Sequence, residues 1–269
     1  MGLHRYARFV ACCTLLVVMS GAAVTSSRDQ PRQVVFHSIH TVAGAAGALL
    51  MVGLAIWLLG AGSATWLRRI AWITLAVVIV DAGLGELQRH GSFGPSAGTL
   101  HACLAALLFA GSCAIALFTS PAWRRDPDFV QDYGWPSLRF LSSAAVLFVA
   151  VQVGFGAGFR HSAVGIMPHL LGALVVALFI MIVGAFVTHQ FPQHASLRPL
   201  AVAFMVITGI QVFLGMAAFL LRLIQAAGTL LFLAISVAHV ATGSLTLAVS
   251  LMLAIEIRRS VRPRAQETP

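Results

Sequence analysis

The sequence predicts an all-α integral membrane protein of eight transmembrane helices, arranged as two pseudosymmetric four-helix bundles. Three observations predict it. Hydrophobic residues make up 59% of the 269 and charged residues only 9%, against about 25% charged in a soluble domain, so no soluble core hides this much apolar surface. Apolar runs near the length of about 20 residues that a bilayer requires fall at roughly 9–26, 36–61, 70–88, 97–119, 138–158, 164–187, 199–221 and 229–256. One pattern, an apolar helix with a late glycine, a turn, and a second helix with an early histidine, occurs four times.

The pattern is fullest at 149–173, where Gln152, Gly154, Gly156 and Gly158 precede Arg160 and His161, and His169 opens the next helix. At 78–106 the matched residues are Asp81, Gly85, Arg89, His90 and His101. The third copy has Gln211, Gly215 and His239, and a weaker one opens the chain with Gly21 and His40. The four histidines are separated by 61, 68 and 70 residues, about one helical hairpin each.

The first run also has features of a signal peptide, with His4, Arg5 and Arg8 before it and Gly21, Ala22 and Ala23 after it. The repeat favours a membrane helix, because His40 otherwise lacks a partner. All seventeen basic residues are arginine. With the N-terminus cytoplasmic, twelve lie on the inner side and five, Arg28, Arg32, Arg89, Arg160 and Arg222, on the outer. The positive-inside rule then places both termini in the cytoplasm, as in a multi-pass protein of the cell inner membrane. This explains the net charge of +9 without a nucleic-acid partner; the lipid bilayer is the partner it implies. The domain reading is residues 1–122 as the N-terminal half, 123–137 as a proline-rich cytoplasmic linker, 138–257 as the C-terminal half and 258–269 as a disordered cytoplasmic tail. Cys12, Cys13, Cys103 and Cys113 lie within apolar runs without metal or c-type haem spacing and read as packing residues.

This topology places His40, His101, His169 and His239 near the outer ends of even-numbered helices. Ionisable residues inside a bilayer face the bundle interior and carry a role. Neutral imidazole is an axial ligand of haem iron, and facing helices of a bundle supply such ligands in pairs. Small residues follow the histidines, among them Gly44, Gly172, Ala173 and Gly243, and leave room for a flat ring. A lone histidine of this kind also reads as an interhelical hydrogen bond; four at matched positions favour haem. Gln152, Gln211 and Asp81 are either porphyrin or ligand contacts or interhelical glue. Arg89 and Arg160 either meet haem propionates or snorkel at the interface. His90 and His161 read as surface loop residues.

Three stretches carry a resemblance: HACLAALLFAGSCAIALFTSPAW (101–123), GFGAGFRHSAVGIMPHLLGALV (154–175) and AHVATGSLTLAVSLMLAIEIRR (238–259). With them the chain resembles, over nearly its whole length, the heme A synthase family of cytochrome oxidase assembly proteins. The resemblance implies a haem b cofactor ligated by His169 and His239, with Arg160, Gln152 and Gln211 around it. It implies a substrate haem o between His40 and His101, with Arg89 nearby. The implied reaction oxidises the C8 methyl of haem o to a formyl group by two hydroxylations and a dehydration, with water as oxygen source. The implied partners are the enzyme that makes haem o, a membrane or soluble electron donor, and cytochrome oxidase assembly.

The chain departs from the family in its second helix, where the family's Glu-x-x-His-Arg is matched by His37, Ser38, Ile39, His40 and Thr41. The first outer loop is short and lacks the cysteine pair of some members. His37, whose imidazole is able to give and take a proton, and Glu86 are then the candidate acid–base residues. The alternative is a non-enzymatic haem protein, an electron carrier or a haem-handling assembly factor. A transporter fits less well, because it favours broken helices and a polar midplane.

Overall fold

The computed structural model describes residues 2–60, 62–91 and 93–263. Eight helices are long and apolar enough to cross a membrane: α1 (Gly2–Ser26), α2 (Arg32–Gly60), α3 (Thr65–Arg89), α4 (Gly94–Phe118), α5 (Leu138–Arg160), α6 (Met167–Gln190), α7 (Leu197–Leu223) and α8 (Leu230–Ser260). Each expected span is found, and most extend by several residues, since polar residues complete a helix beyond its hydrocarbon stretch. Pro95 and Pro168 stand in the first turns of α4 and α6, where a missing N–H costs nothing. Ser137 and Thr229 cap α5 and α8 by accepting from the backbone N–H of Phe140 and Phe232.

Helix packing has the same order in both halves. In the first, α1 packs on α2, α2 on α3, α3 on α4, and α4 back on α1; in the second, α5, α6, α7 and α8 close in the same way. The halves meet where α4 and α8 pack on each other, α1 on α8, and α4 on α5. Both central helices are rich in buried small residues, among them Ala97, Gly98, Ala106, Ala110, Ser112 and Ala114 on α4 and Ala241, Ser244, Ala248, Ser250 and Ala254 on α8. Between helices in lipid, close backbone approach is the main source of attraction. The histidine-bearing helices, α2 with α4 and α6 with α8, are not among the principal packed pairs. They stand diagonally across their bundles.

The face holding the start of α1 and the end of α8 is closed by a clasp. Val130–Gln131 (β1) pairs in parallel with Val261–Arg262 (β2). Arg139 donates to Val261 O through Nε at 3.0 Å and a terminal guanidinium nitrogen at 2.7 Å, and to Arg258 O at 3.3 Å. It satisfies carbonyls that α8 leaves open at its end. Arg259 lies over the Trp123 ring and donates to Trp123 O at 2.9 Å. His194, buried, bonds Asp128 O through Nε2 at 3.1 Å and accepts from Leu197 N through Nδ1 at 3.2 Å. The region from 258 is therefore not a disordered tail throughout: α8 continues to Ser260, and residues 261–262 are paired. The reading of 264–269 lies outside the described residues. All four cysteines are free.

Replacing Arg139 by alanine removes three charge-assisted bonds to the end of α8 and is expected to lower stability by about 2 kcal/mol. Hydrogen exchange should show the loss concentrated at 130–131 and 258–262; protection unchanged there would refute the role given to the clasp.

Candidate functional site

Four glycines and four histidines meet in pairs. A methyl carbon placed on Gly21 would lie 3.0 Å from His40 Cε1, on Gly85 3.2 Å from His101 Cε1, on Gly156 2.9 Å from His169 Cε1, and on Gly215 2.8 Å from His239 Cε1. Each imidazole therefore lies against bare backbone of the preceding helix, and a larger residue displaces the ring. This is why the glycine recurs at one place in every copy.

The four rings form two pairs. His40 and His101 have ring centroids 6.0 Å apart with planes at 71°. His169 and His239 have centroids 6.1 Å apart with planes at 84°. The helices carrying each pair lie across the bundle from one another, so the rings meet near its middle. All four are partly buried.

The Nδ1 atoms are held from the preceding helix. His101 Nδ1 lies 3.0 Å from Asp81 O and 2.9 Å from Asp81 Oδ1. Both oxygens only accept, so Nδ1 carries the proton and Nε2 presents a lone pair. His239 Nδ1 lies 3.1 Å from Gln211 O, which fixes the same tautomer. Ser20 Oγ donates to Val17 O at 2.8 Å and accepts from His40 Nδ1 at 2.9 Å. Gln152 differs: its Nε2 donates to His169 O at 2.7 Å and lies 3.0 Å from His169 Nδ1, and its Oε1 is buried without a partner. The bond to His169 O fixes the amide nitrogen toward the ring, so Nδ1 accepts and Nε2 carries the proton in this arrangement. Gln211 Nε2 also lies 3.4 Å from His239 Nε2, and its Oε1 accepts from Thr242.

These contacts revise the role of the small residues after the histidines. Gly172 makes room for the Gln152 amide and Gly243 for that of Gln211, whereas Gly44 has open space beside it. The glycines that face the imidazoles are those on the preceding helices. Ser20 was not evident in the sequence, because the matched position four residues before Gly21 is Val17; its hydroxyl comes from the adjacent turn.

The other candidates are more scattered. His37 is exposed on α2. Glu86 is exposed on α3, bonded to Arg89 Nε at 2.9 Å and His90 Nε2 at 2.9 Å, and lines a shallow groove with Val80, Gly83, Leu84 and Leu87. Arg89 is thus paired with Glu86. Arg160 donates to Ala22 O and Ser26 Oγ, both at 3.0 Å, and so caps the end of α1. His161 corrects the surface reading: it is 9% exposed, lies 3.4 Å from Gln88 Nε2, and fills the notch left by Gly98. A matched position alone did not disclose this, because the notch belongs to the other half.

Among the described residues no three histidine, cysteine, aspartate or glutamate side chains gather as a metal site. A haem iron needs only two protein ligands. Two metal–nitrogen bonds of about 2 Å, with about 1 Å from each nitrogen to its ring centre, put axial imidazole centroids about 6 Å apart. Both pairs have this separation, which is the ring spacing a bis-histidine haem would require.

Burial, with Arg160 and Arg28 nearby, pushes the pKa of His161 from 6.5 down to about 4. The unfolded chain therefore binds a proton at higher pH than the folded one, and this contribution to stability is complete above pH 6.5 and lost as pH falls towards 4. Thermal unfolding of wild type and His161→Gln in detergent should show the wild-type advantage shrinking over that range; a difference independent of pH would contradict it. No family model matches the chain, and no curated protein is significantly similar to it.

Proposed function

We propose that the protein is a haem-handling membrane oxidoreductase of the heme A synthase type, with haem b in the C-terminal half and haem o as substrate in the N-terminal half. The observation that carries this reading is the centroid separation of 6.1 Å between His169 and His239 and 6.0 Å between His40 and His101, each ring lying against a glycine. His169 and His239 hold haem b, which supplies one-electron chemistry. Gln152 and Gln211 orient the two ligands, and Gly156 and Gly215 give the imidazoles their place. In the N-terminal half His40 and His101 flank the substrate, oriented by Ser20 and Asp81. The oxidation converts the C8 methyl to a formyl group with the oxygen taken from water, and it releases four electrons and four protons, so the membrane or soluble redox partner must act as an electron acceptor and not as the donor expected from the sequence. In this reading the protein sits in the inner membrane with both termini cytoplasmic, serves cytochrome oxidase assembly, and consists of two pseudosymmetric halves.

One observation favours a second reading, a non-enzymatic haem carrier. Glu86 is paired with Arg89 and His90 on an exposed side of α3, and the carboxylate at the histidine pair, Asp81, is bonded to His101. Neither is free to move protons as the family's glutamate is expected to.

Expression of the chain with a source of haem o, followed by haem extraction, decides between the two. The enzyme reading expects haem a or its hydroxylated precursor; haem b with neither would leave the carrier. Spectra of His169→Ala and His239→Ala are expected to lose the low-spin bis-histidine signal of the C-terminal haem. Retention of that signal in both would remove the ligand assignment. Gly215→Val, whose Cβ would lie 2.8 Å from His239 Cε1 and 3.3 Å from Nδ1 and so displace the ring, should reduce haem content several-fold.

A further inference from the structure

The two histidine pairs match in spacing but not in what holds them. In the C-terminal half the groups at Nδ1 are neutral, the Gln152 side-chain amide at His169 and the Gln211 backbone carbonyl at His239. In the N-terminal half one supporting group is a carboxylate. Asp81 Oδ1 lies 2.9 Å from His101 Nδ1, with the His101 and Asp81 side chains only 20% and 12% exposed. Among the described residues, His101 is its only ion-pair partner. Among the described residues no arginine pairs with the carboxylate: Arg89, on the same helix, is bonded to Glu86.

A buried carboxylate on the outer nitrogen of a metal-bound imidazole makes that imidazole a stronger electron donor. It also adds negative charge where the surroundings screen poorly. Both effects favour ferric over ferrous iron, because the ferric state carries one more positive charge. We propose that Asp81 sets the redox order of the two halves, by making a haem held at His40 and His101 harder to reduce than one held at His169 and His239. Asp81 is a positioning residue that acts through His101. The inference rests on the haem reading above and adds a direction to it. With haem held in both halves, an electron would pass from the His40–His101 side to the His169–His239 side, so the haem b side would be the acceptor. Such an order suits an oxidation carried out in the N-terminal half. The repeat sharpens the point, since Asp81 occupies the position held by Gln152 and Gln211.

The test is a redox titration of the full-length protein loaded with haem b, used as the probe in both halves, followed through the low-spin absorption band. Wild type should give two components. Asp81→Asn keeps the shape of the side chain and removes its charge. It should raise the reduction equilibrium of the lower component about tenfold, or about 59 mV for one electron, and leave the other unmoved. Gln152→Glu places a carboxylate in the C-terminal half and should lower the component that His169→Ala abolishes. Two components that neither variant moves would overturn the role of Asp81 and leave the haem reading standing. A shift by Asp81→Asn of the His169-dependent component would also overturn it. A single component, lost in His169→Ala, would mean that the N-terminal half holds no haem, and both the inference and that part of the proposed function would fall. Retention of the low-spin spectrum in each variant shows that a shift is not a loss of fold.

Discussion

An imidazole inside a bilayer needs a partner for its N–H and space for its ring, and this need organises the structure more than any apolar contact does. Each of the four histidines finds its Nδ1 contact and its space on the helix just before its own. A glycine gives the ring its place, and a group within a turn or so of that glycine binds Nδ1. The even helices are thereby fixed in rotation relative to the odd ones. Packing follows from this arrangement. Odd and even neighbours sit close, the histidine helices stand on the diagonal, and small residues on α4 and α8 let the two halves press together.

The four copies share geometry and differ in chemistry. Ser20, Asp81, Gln152 and Gln211 all serve an imidazole, yet only one is a carboxylate. The arginines at matched positions also diverge: Arg89 turns to Glu86 on its own helix, and Arg160 reaches into the other half to close α1. His90 is exposed and His161 is buried at the junction. The second-half copy of the turn has thus become part of the joint between the halves, and the first-half copy has stayed at the surface.

Much of this was legible in the sequence. Composition and run length foretold eight helices, and the recurrence of glycine and histidine at hairpin spacing singled out the four rings. Three things were not legible. The role of Gly172 and Gly243 depends on which neighbour faces them, and spacing within one helix does not encode that. Ser20 works from a position one turn away from its counterparts, so a strict alignment of copies passes over it. The clasp of residues 130–131 on 261–262 joins segments 131 residues apart. Its polar composition reads as loose chain, because arginines that bind backbone carbonyls look in sequence like any solvated charge.

Helix α8 packs against α1, α4, α5 and α7, and its end is tied to the segment between α4 and α5. It is also the last of the eight to leave the ribosome. The ring of α1 to α4 can close, and His40 and His101 can meet, while the second half is still being made. His169 waits for α8, which brings His239, the final wall of its bundle and the seam between halves in one insertion. The order of synthesis thus makes the His169–His239 pair and the α8 contacts between the halves available last.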